Sequence, residues 1–430
     1  MIFGITKTIN DILYEITGKI DNKTKIIRIN TDDTWTNGDL WFPSNLLAWR
    51  GLIIPDNDNK PKDILELYTK RKKIDISGLS NESITQKAIG ALIAASTDWE
   101  FKLERGCLDR GRVCLFLNRP LAIGKIIRDT IKHPIRLIQE NKTIFFCINA
   151  DPTSRLTTFR LEKLKSVIEN IFKLQGYEIT DTSLEKYLLT TKSQGPIDDG
   201  YRKYVCGVVK NPKTNAKEVL ETKDSYMQRK MKILEELNEG RESEALNHNE
   251  VKLRRVAEAI LTFEMLGVRP SRASFIEISR NPEQSIASSK GGSFVLYNVA
   301  RIEAIFQKFE KQYRIEKWEG MEDVDRVDFG QLLSQEEWEL AYNFVLAYPQ
   351  VLRNSVLHGD GLELCPQLLC TFLSHFSQKF SIYYRRTRIL TEDREHLIPI
   401  MTARLWLLKA ILIVLRHALE VLDITPIRQM

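Results

Sequence analysis

The run Tyr383-Tyr-Arg-Arg-Thr-Arg388 sets two aromatic rings beside three guanidinium groups. That pairing suits a nucleic acid: a ring can stack a splayed base while guanidinium groups contact phosphates. Tyr384, Arg385, Arg386 and Arg388 are the candidate contacts. The competing reading puts Tyr383 in a core and the arginines at a helix C-terminus, where cations favour the macrodipole. Tyr297 and Arg301 lie one helical turn apart, so a ring and a guanidinium present together, to a ligand or to a packed neighbour. Lys70-Arg-Lys-Lys73 and Lys252-Leu-Arg-Arg255 are further basic clusters, and such runs are commonly solvated faces.

Residue patterns for catalysis are missing. The chain has no Gly-rich phosphate loop of either common kind. It has no His-Glu-x-x-His and no paired Cys/His spacing for a metal, so neither metal nor cofactor is expected. A methyltransferase would need a Gly-rich loop after its first strand, and none occurs. The histidines His133, His248, His358, His375, His396 and His417 stand singly, and His375 and His417 fall within amphipathic helices. Ordinary structural roles fit such lone residues better than catalysis. Cys107, Cys114, Cys147, Cys206, Cys365 and Cys370 form no Cys-x-x-Cys pair or regular framework. Reduced thiols in a cytosolic or nuclear protein are the expectation, with the cytoplasm preferred.

The 430 residues suffice for two or three domains, each with its own core. Net charge is +6, which permits nucleic-acid binding without requiring it. From Ser285 to Met430 there are 17 Lys/Arg against 18 Asp/Glu, leaving 46 against 39 upstream. The basic excess therefore lies upstream, where a polyanion's phosphates would be held, with local recognition left to the C-terminal part. Met1 to Lys19 alternates polar and apolar residues, so no secretory signal is expected. Residues 405–422 are apolar but interrupted by Lys409, Arg416, His417 and Glu420. They read as a buried amphipathic helix, not a membrane span.

The elements that position these residues follow from periodicity. Gln367 to Tyr384 places Leu369, Phe372, Leu373, Phe376, Phe380 and Tyr383 on one helical face. Ala403 to Leu422 does the same with Leu405, Leu408, Leu412, Leu415, Leu419 and Leu422. Asn249 to Leu266 is a helix with Val251, Val256, Ile260, Phe263 and Leu266 as its apolar side. Gly200 to Ser243 reads as linker plus an exposed helix. In the middle, Lys142 to Asn149 is a near-continuous apolar run, as in a buried parallel strand. Ala150 to Ser154 then forms a loop, a helix runs to Gly176, and Tyr177 to Thr180 opens a strand, giving a βαβ-like unit. Tyr204 to Val209 is the next strand candidate. Upstream, Ser80 opens a capped helix to Ala95, Arg112 to Asn118 is a strand, and a helix follows from about Pro120. Asp56 to Pro61 is a surface loop.

The C-terminal elements resemble the DALR anticodon-binding domain of arginyl-tRNA synthetases. Ala403-Arg404-Leu405-Trp-Leu-Leu-Lys-Ala410 with Val414-Leu-Arg-His-Ala-Leu419 is similar to the family's last helix, and the end Arg428-Gln429-Met430 to its Arg-Met close. Gly292 to Arg301 is similar to its Tyr-x-x-Ala-Arg opening. The first 140 residues resemble the family's N-terminal additional domain, which touches the tRNA elbow. The fold implied is an α+β multidomain chain. It would comprise an N-terminal α/β domain (1–140), a degenerate Rossmann-like remnant (141–225), a helical linker (226–285) and an all-α DALR helical bundle (286–430).

The same resemblance speaks against aminoacylation. Where the family carries His-x-Gly-His to bind the ATP phosphates, this chain reads Arg160-Leu-Glu-Lys-Leu-Lys-Ser166. The glycine allows close approach of the nucleotide to the backbone, which a side chain obstructs. The catalytic domain is too short. The Lys-Met-Ser-Lys-Ser-type loop is also absent, and Lys210 to Lys217 is merely basic and turn-rich. Thr262 to Leu266 and Ser285 to Arg301 resemble a catalytically dead branch of the synthetases. The resemblance implies a non-catalytic adaptor that binds arginine tRNAs and presents the anticodon loop to a 3-methylcytidine methyltransferase acting at position 32. Tyr297, Arg301, Tyr384, Arg385, Arg386, Arg388, Arg404, Arg428 and Met430 are its candidate tRNA contacts. A divergent synthetase and an interaction scaffold without RNA binding are the alternatives.

Overall fold

The computed structural model describes residues 3–20, 25–53, 61–135, 137, 140–194, 200–238, 246–276, 291–316, 321–358, 361–391 and 394–427. The expected loop at Asp56 to Pro61 lies outside these residues except for Pro61 itself. The chain forms two compact units. One joins Met1–Asp129 to Val327–Leu346; the other joins Thr130–Arg326 to Ala347–Met430.

The first unit is an antiparallel sheet with helices α1 (Phe3–Thr17), α2 (Ile64–Arg71) and α3 (Asn81–Ala95). Its strands are β1 (Arg28–Ile29), β2 (Leu40–Pro43), β3 (Leu103–Asp109) and β4 (Arg112–Leu117), in the order β1-β2-β4-β3. Alternation sets its inner face: Leu40 and Phe42 lie opposite Leu115 and Val113, and all four are fully buried. Ser80 caps α3 by accepting from the Ser83 N–H, as its spacing predicts. The β3–β4 hairpin turns through Arg110 and Gly111, both at positive φ, which matches the twist of the flanking strands. Helix α4 (Arg119–Lys132) follows β4.

The segment Val327–Leu346 departs from expectation. It sits within the span expected to be anticodon-binding bundle, yet it folds with the first unit. Asp39 explains this. Its carboxylate, wholly buried, accepts from the Trp338 indole at 2.9 Å, the Leu117 N–H at 2.9 Å and Arg119 at 3.3 Å, while its carbonyl accepts from the Tyr342 hydroxyl at 2.9 Å. Gly38 permits the approach: a Cβ there would lie 2.8 Å from the Leu115 carbonyl oxygen, and its φ is +77°.

The second unit holds a parallel sheet, order β6-β5-β7-β8, from β5 (Thr143–Ile148), β6 (Glu178–Ile179), β7 (Lys186–Thr190) and β8 (Tyr201–Val205). Strand β7 was not legible from the sequence. The helix α5 (Arg155–Leu174), capped by Ser154, makes the βαβ crossover and ends at Gly176 in the left-handed region. Strand β5 is not buried on both sides as expected: Ile144 and Phe146 are buried, but Phe145 and Cys147 are half-exposed. A pair β9 (Val209–Lys210) and β10 (Ser274–Phe275) closes the module.

Helices α6 (Lys223–Asn238), α7 (Leu246–Leu266), α8 (Gly292–Glu316), α9 (Tyr348–Ser355), α10 (Gln367–Arg386) and α11 (Ile398–Val421) build the rest. The six apolar residues foreseen on α10 are buried, as are the six on α11 and the following turn. At roughly 1.5–3 kcal/mol for each such side chain, these faces outweigh any surface charge pair. Helix α11 is long and apolar enough to cross a membrane, but its apolar faces lie in the core. Val251 of α7, expected on the apolar side, is 53% exposed. The region is not wholly helical: β11 (Val356–His358) and β12 (Leu362–Leu364) form a hairpin.

Candidate RNA-binding surfaces

Helices α8 and α10 bring three foreseen residues into one stack. The Arg301 guanidinium lies 4.4 Å from the Tyr297 ring centroid and 4.5 Å from that of Tyr384. It also donates to the Tyr297 hydroxyl at 2.5 Å. The helical spacing of four residues accounts for the first contact, while the second needs α8 to pack on α10. Tyr297 is 43% and Tyr384 36% exposed, so both rings keep surface for a base. A guanidinium sandwiched between rings holds both planes in register, at about 0.5–1 kcal/mol per exposed contact. Its Nη1 is buried and has no hydrogen-bond partner among the described residues.

The arginine run closes α10 and leaves its side chains at the surface. Tyr383 is fully buried, and Arg385 and Arg386 form the last turn of α10, where they suit the macrodipole. Their side chains and that of Arg388 are nonetheless exposed. Arg385 donates to the Ser381 carbonyl and Arg388 to the Leu390 carbonyl, each at 3.3 Å. Arg404, from α11, donates to the Arg388 carbonyl at 3.1 Å and so ties α11 to the segment after α10. It positions the run as much as it could meet a ligand. Arg428 and Met430 lie outside the described residues.

At the start of α5 the interior is packed by the chain's own side chains. Arg160, 2% exposed, donates to the carbonyls of Met265, Gly207, Arg272 and Arg269 at 3.0, 2.7, 2.8 and 3.4 Å. Burial pushes its pKa down to about 10, so the guanidinium stays charged at neutral pH. Leu161 beside it is fully buried. At the carboxyl end of β5, Lys217 bonds to both Asp151 oxygens at 2.6 and 2.5 Å and to the Thr153 hydroxyl at 2.7 Å. Burial alone would raise the Asp151 pKa, but Lys217, Thr153 and Thr191 hold it at about 2. The run Lys210 to Lys217, read as merely basic, thus supplies an ion pair at the strand end where α/β folds bind ligands. Sequence spacing could not reveal it, because 66 positions separate the partners.

Sequence reasoning also missed a surface on the first unit. On the sheet's outer face the Trp41 ring lies 5.1 Å from the Arg28 guanidinium and 4.6 Å from that of Arg112. Arg105 covers Phe116 at 3.4 Å. A groove of about 380 Å³ beside Trp41 is lined by Lys25, Ile26, Arg28, Pro43 and Ala48. Neither Arg28 nor Arg112 makes an ion pair among the described residues, leaving their charge available to an anion. The signal existed in the strand alternation, but Arg28, Trp41 and Arg112 come from three strands. By contrast Lys70 and Lys72 of the basic cluster pair with Glu66 and Glu15, and the solvated-face reading fits them.

Residues 295–430 match the DALR anticodon binding domain family. Over 237 residues the chain is 29% identical to DALR anticodon-binding domain-containing protein 3 of Danio rerio, covering 53% of this chain. The protein of that name from Rattus norvegicus is 32% identical over 173 residues, or 39% of this chain. These matches span 42% and 32% of the relatives' own lengths. Arginyl-tRNA synthetase of Thermus thermophilus superposes with a TM-score of 0.60 at 11% identity, over 99% of this chain and 100% of that one. That likeness establishes the fold.

Proposed function

We propose that this chain, an arginyl-tRNA synthetase fold ending in a DALR anticodon binding domain, is a non-catalytic tRNA-binding adaptor. It recognises arginine tRNAs in the cytoplasm and presents their anticodon loop to a methyltransferase that forms 3-methylcytidine at position 32. The carrying observation is the Tyr297–Arg301–Tyr384 stack, which lies within the matched domain and offers two rings and a fixed cation to unstacked bases. The exposed Arg385, Arg386 and Arg388 supply phosphate contacts beside it, and Arg28, Trp41 and Arg112 give the first unit a means of holding the tRNA body. Buried Arg160 and Leu161, at the helix start that the resemblance aligns with the nucleotide-binding signature, support the non-catalytic reading.

The test is crosslinking and tRNA sequencing on the tagged protein from its own cells, with co-purifying proteins identified from the same sample. Enrichment of arginine tRNAs with a methyltransferase is expected. Recovery of proteins without tRNA would replace the adaptor by a scaffold. ATP–pyrophosphate exchange dependent on arginine would make it an enzyme.

A further inference from the structure

We propose that Cys107 and Cys114 form a reversible dithiol–disulfide pair in the middle of the first unit's outer sheet face, whose oxidation weakens RNA binding there. The register carries this. Cys107 lies directly opposite Cys114 across β3 and β4, and Cys114 lies directly opposite Trp41 across β4 and β2. Opposite residues share a face, so the two thiols and the Trp41 ring form one row across three strands. Arg112, two positions from Cys114, belongs to the same face and stacks on Trp41.

Opposed Cβ atoms in an antiparallel pair stand ~4.5–5.5 Å apart, and a disulfide draws them to ~3.5–4.5 Å. Closure therefore needs a small local approach of β3 to β4. Counted from the two-residue turn, the pair falls at a hydrogen-bonded site, where the strands are wider apart. A bridge there is strained and so readily reduced, as suits a switch and not a structural staple.

Cys107 is half-exposed and Cys114 buried. Burial pushes the Cys114 thiol up to about 11, which keeps it protonated and leaves Cys107 as the first target. Hydrogen peroxide transfers one oxygen to the Cys107 sulfur, giving sulfenic acid, and its other oxygen leaves as water. Cys114 sulfur then attacks Cys107 sulfur, forming the S–S bond; the sulfenic hydroxyl departs with the Cys114 proton as water. The thiols lose two electrons and two protons, and the peroxide becomes two waters. Drawing β4 toward β3 pulls Cys114 and Arg112 away from Trp41 and Arg28, which opens the aromatic–guanidinium row.

The consequence for RNA rests on the function proposed above, whereas the bond itself does not. The full chain, reduced and then treated with hydrogen peroxide, is digested and mapped by mass spectrometry. A peptide linked through Cys107 and Cys114 that dithiothreitol separates is expected. Binding of arginine tRNA should fall several-fold on oxidation and recover on reduction, and Cys107→Ser should abolish both the link and the fall. Recovery of Cys107 and Cys114 as separately alkylatable thiols after peroxide would overturn the pair. An equal loss of affinity in Cys107→Ser would overturn its role. If the reduced chain binds no tRNA, the functional reading fails, while the linked peptide still decides whether the bond forms.

Discussion

Arg301 is the residue on which two helices and a candidate ligand converge. Its plane matters as much as its charge, because both neighbours are rings. Arg301→Lys should therefore weaken binding of an anticodon stem-loop nearly as much as Arg301→Ala, whereas a pure charge contact would tolerate lysine; titration of a labelled stem-loop distinguishes them. Tyr384→Ala should cost about 1–3 kcal/mol in the same assay, with Tyr384→Phe close to wild type, since stacking needs the ring and not the hydroxyl. Both residues were legible in the sequence as separate candidates. Their meeting was not, because Arg301 and Tyr384 are 83 positions apart in the chain.

At the scale of elements, two buried polar side chains decide which segments stay together. Arg160 holds four carbonyls of α7's C-terminus and the loops around β9 and β10. Arg160→Met should destabilise the second unit by several kcal/mol, on the order of 3–5, because those buried acceptors lose their donor. Urea denaturation followed by a probe in that unit measures it. Asp39 joins Val327–Leu346 to the first unit, and burial raises its pKa to about 6 against the opposing pull of Arg119, Leu117 and Trp338. The folded carboxyl thus binds a proton more readily than the unfolded one, whose pKa is about 3.9. Its contribution is full below about pH 4 and is lost as pH rises through about 6. Asp39→Asn should flatten that part of the first unit's stability–pH profile. It should also lower stability at neutral pH, since one of the donors from Trp338 and Leu117 loses its acceptor.

For the whole molecule, the proposed function puts RNA contacts on both units, and salt dependence can count them. Each phosphate contact removed should reduce the slope of log affinity against log salt by about 1. Reversing Arg385, Arg386 and Arg388 together should lower the slope for both full-length tRNA and an isolated stem-loop. Reversing Arg28 and Arg112 should lower it for full-length tRNA only. Equal effects on both ligands would remove the first unit's separate role. The sequence by itself determined the apolar faces of α10 and α11, the Ser80 cap and the βαβ opening. Each of these depends on residues close in the chain, where period and spacing carry the physics. Tertiary structure decided the assignment of Val327–Leu346, the Asp151–Lys217 pair, the Trp41 face and the Arg301 stack. Those rest on partners tens to hundreds of positions apart, and only packing selects which distant side chains meet.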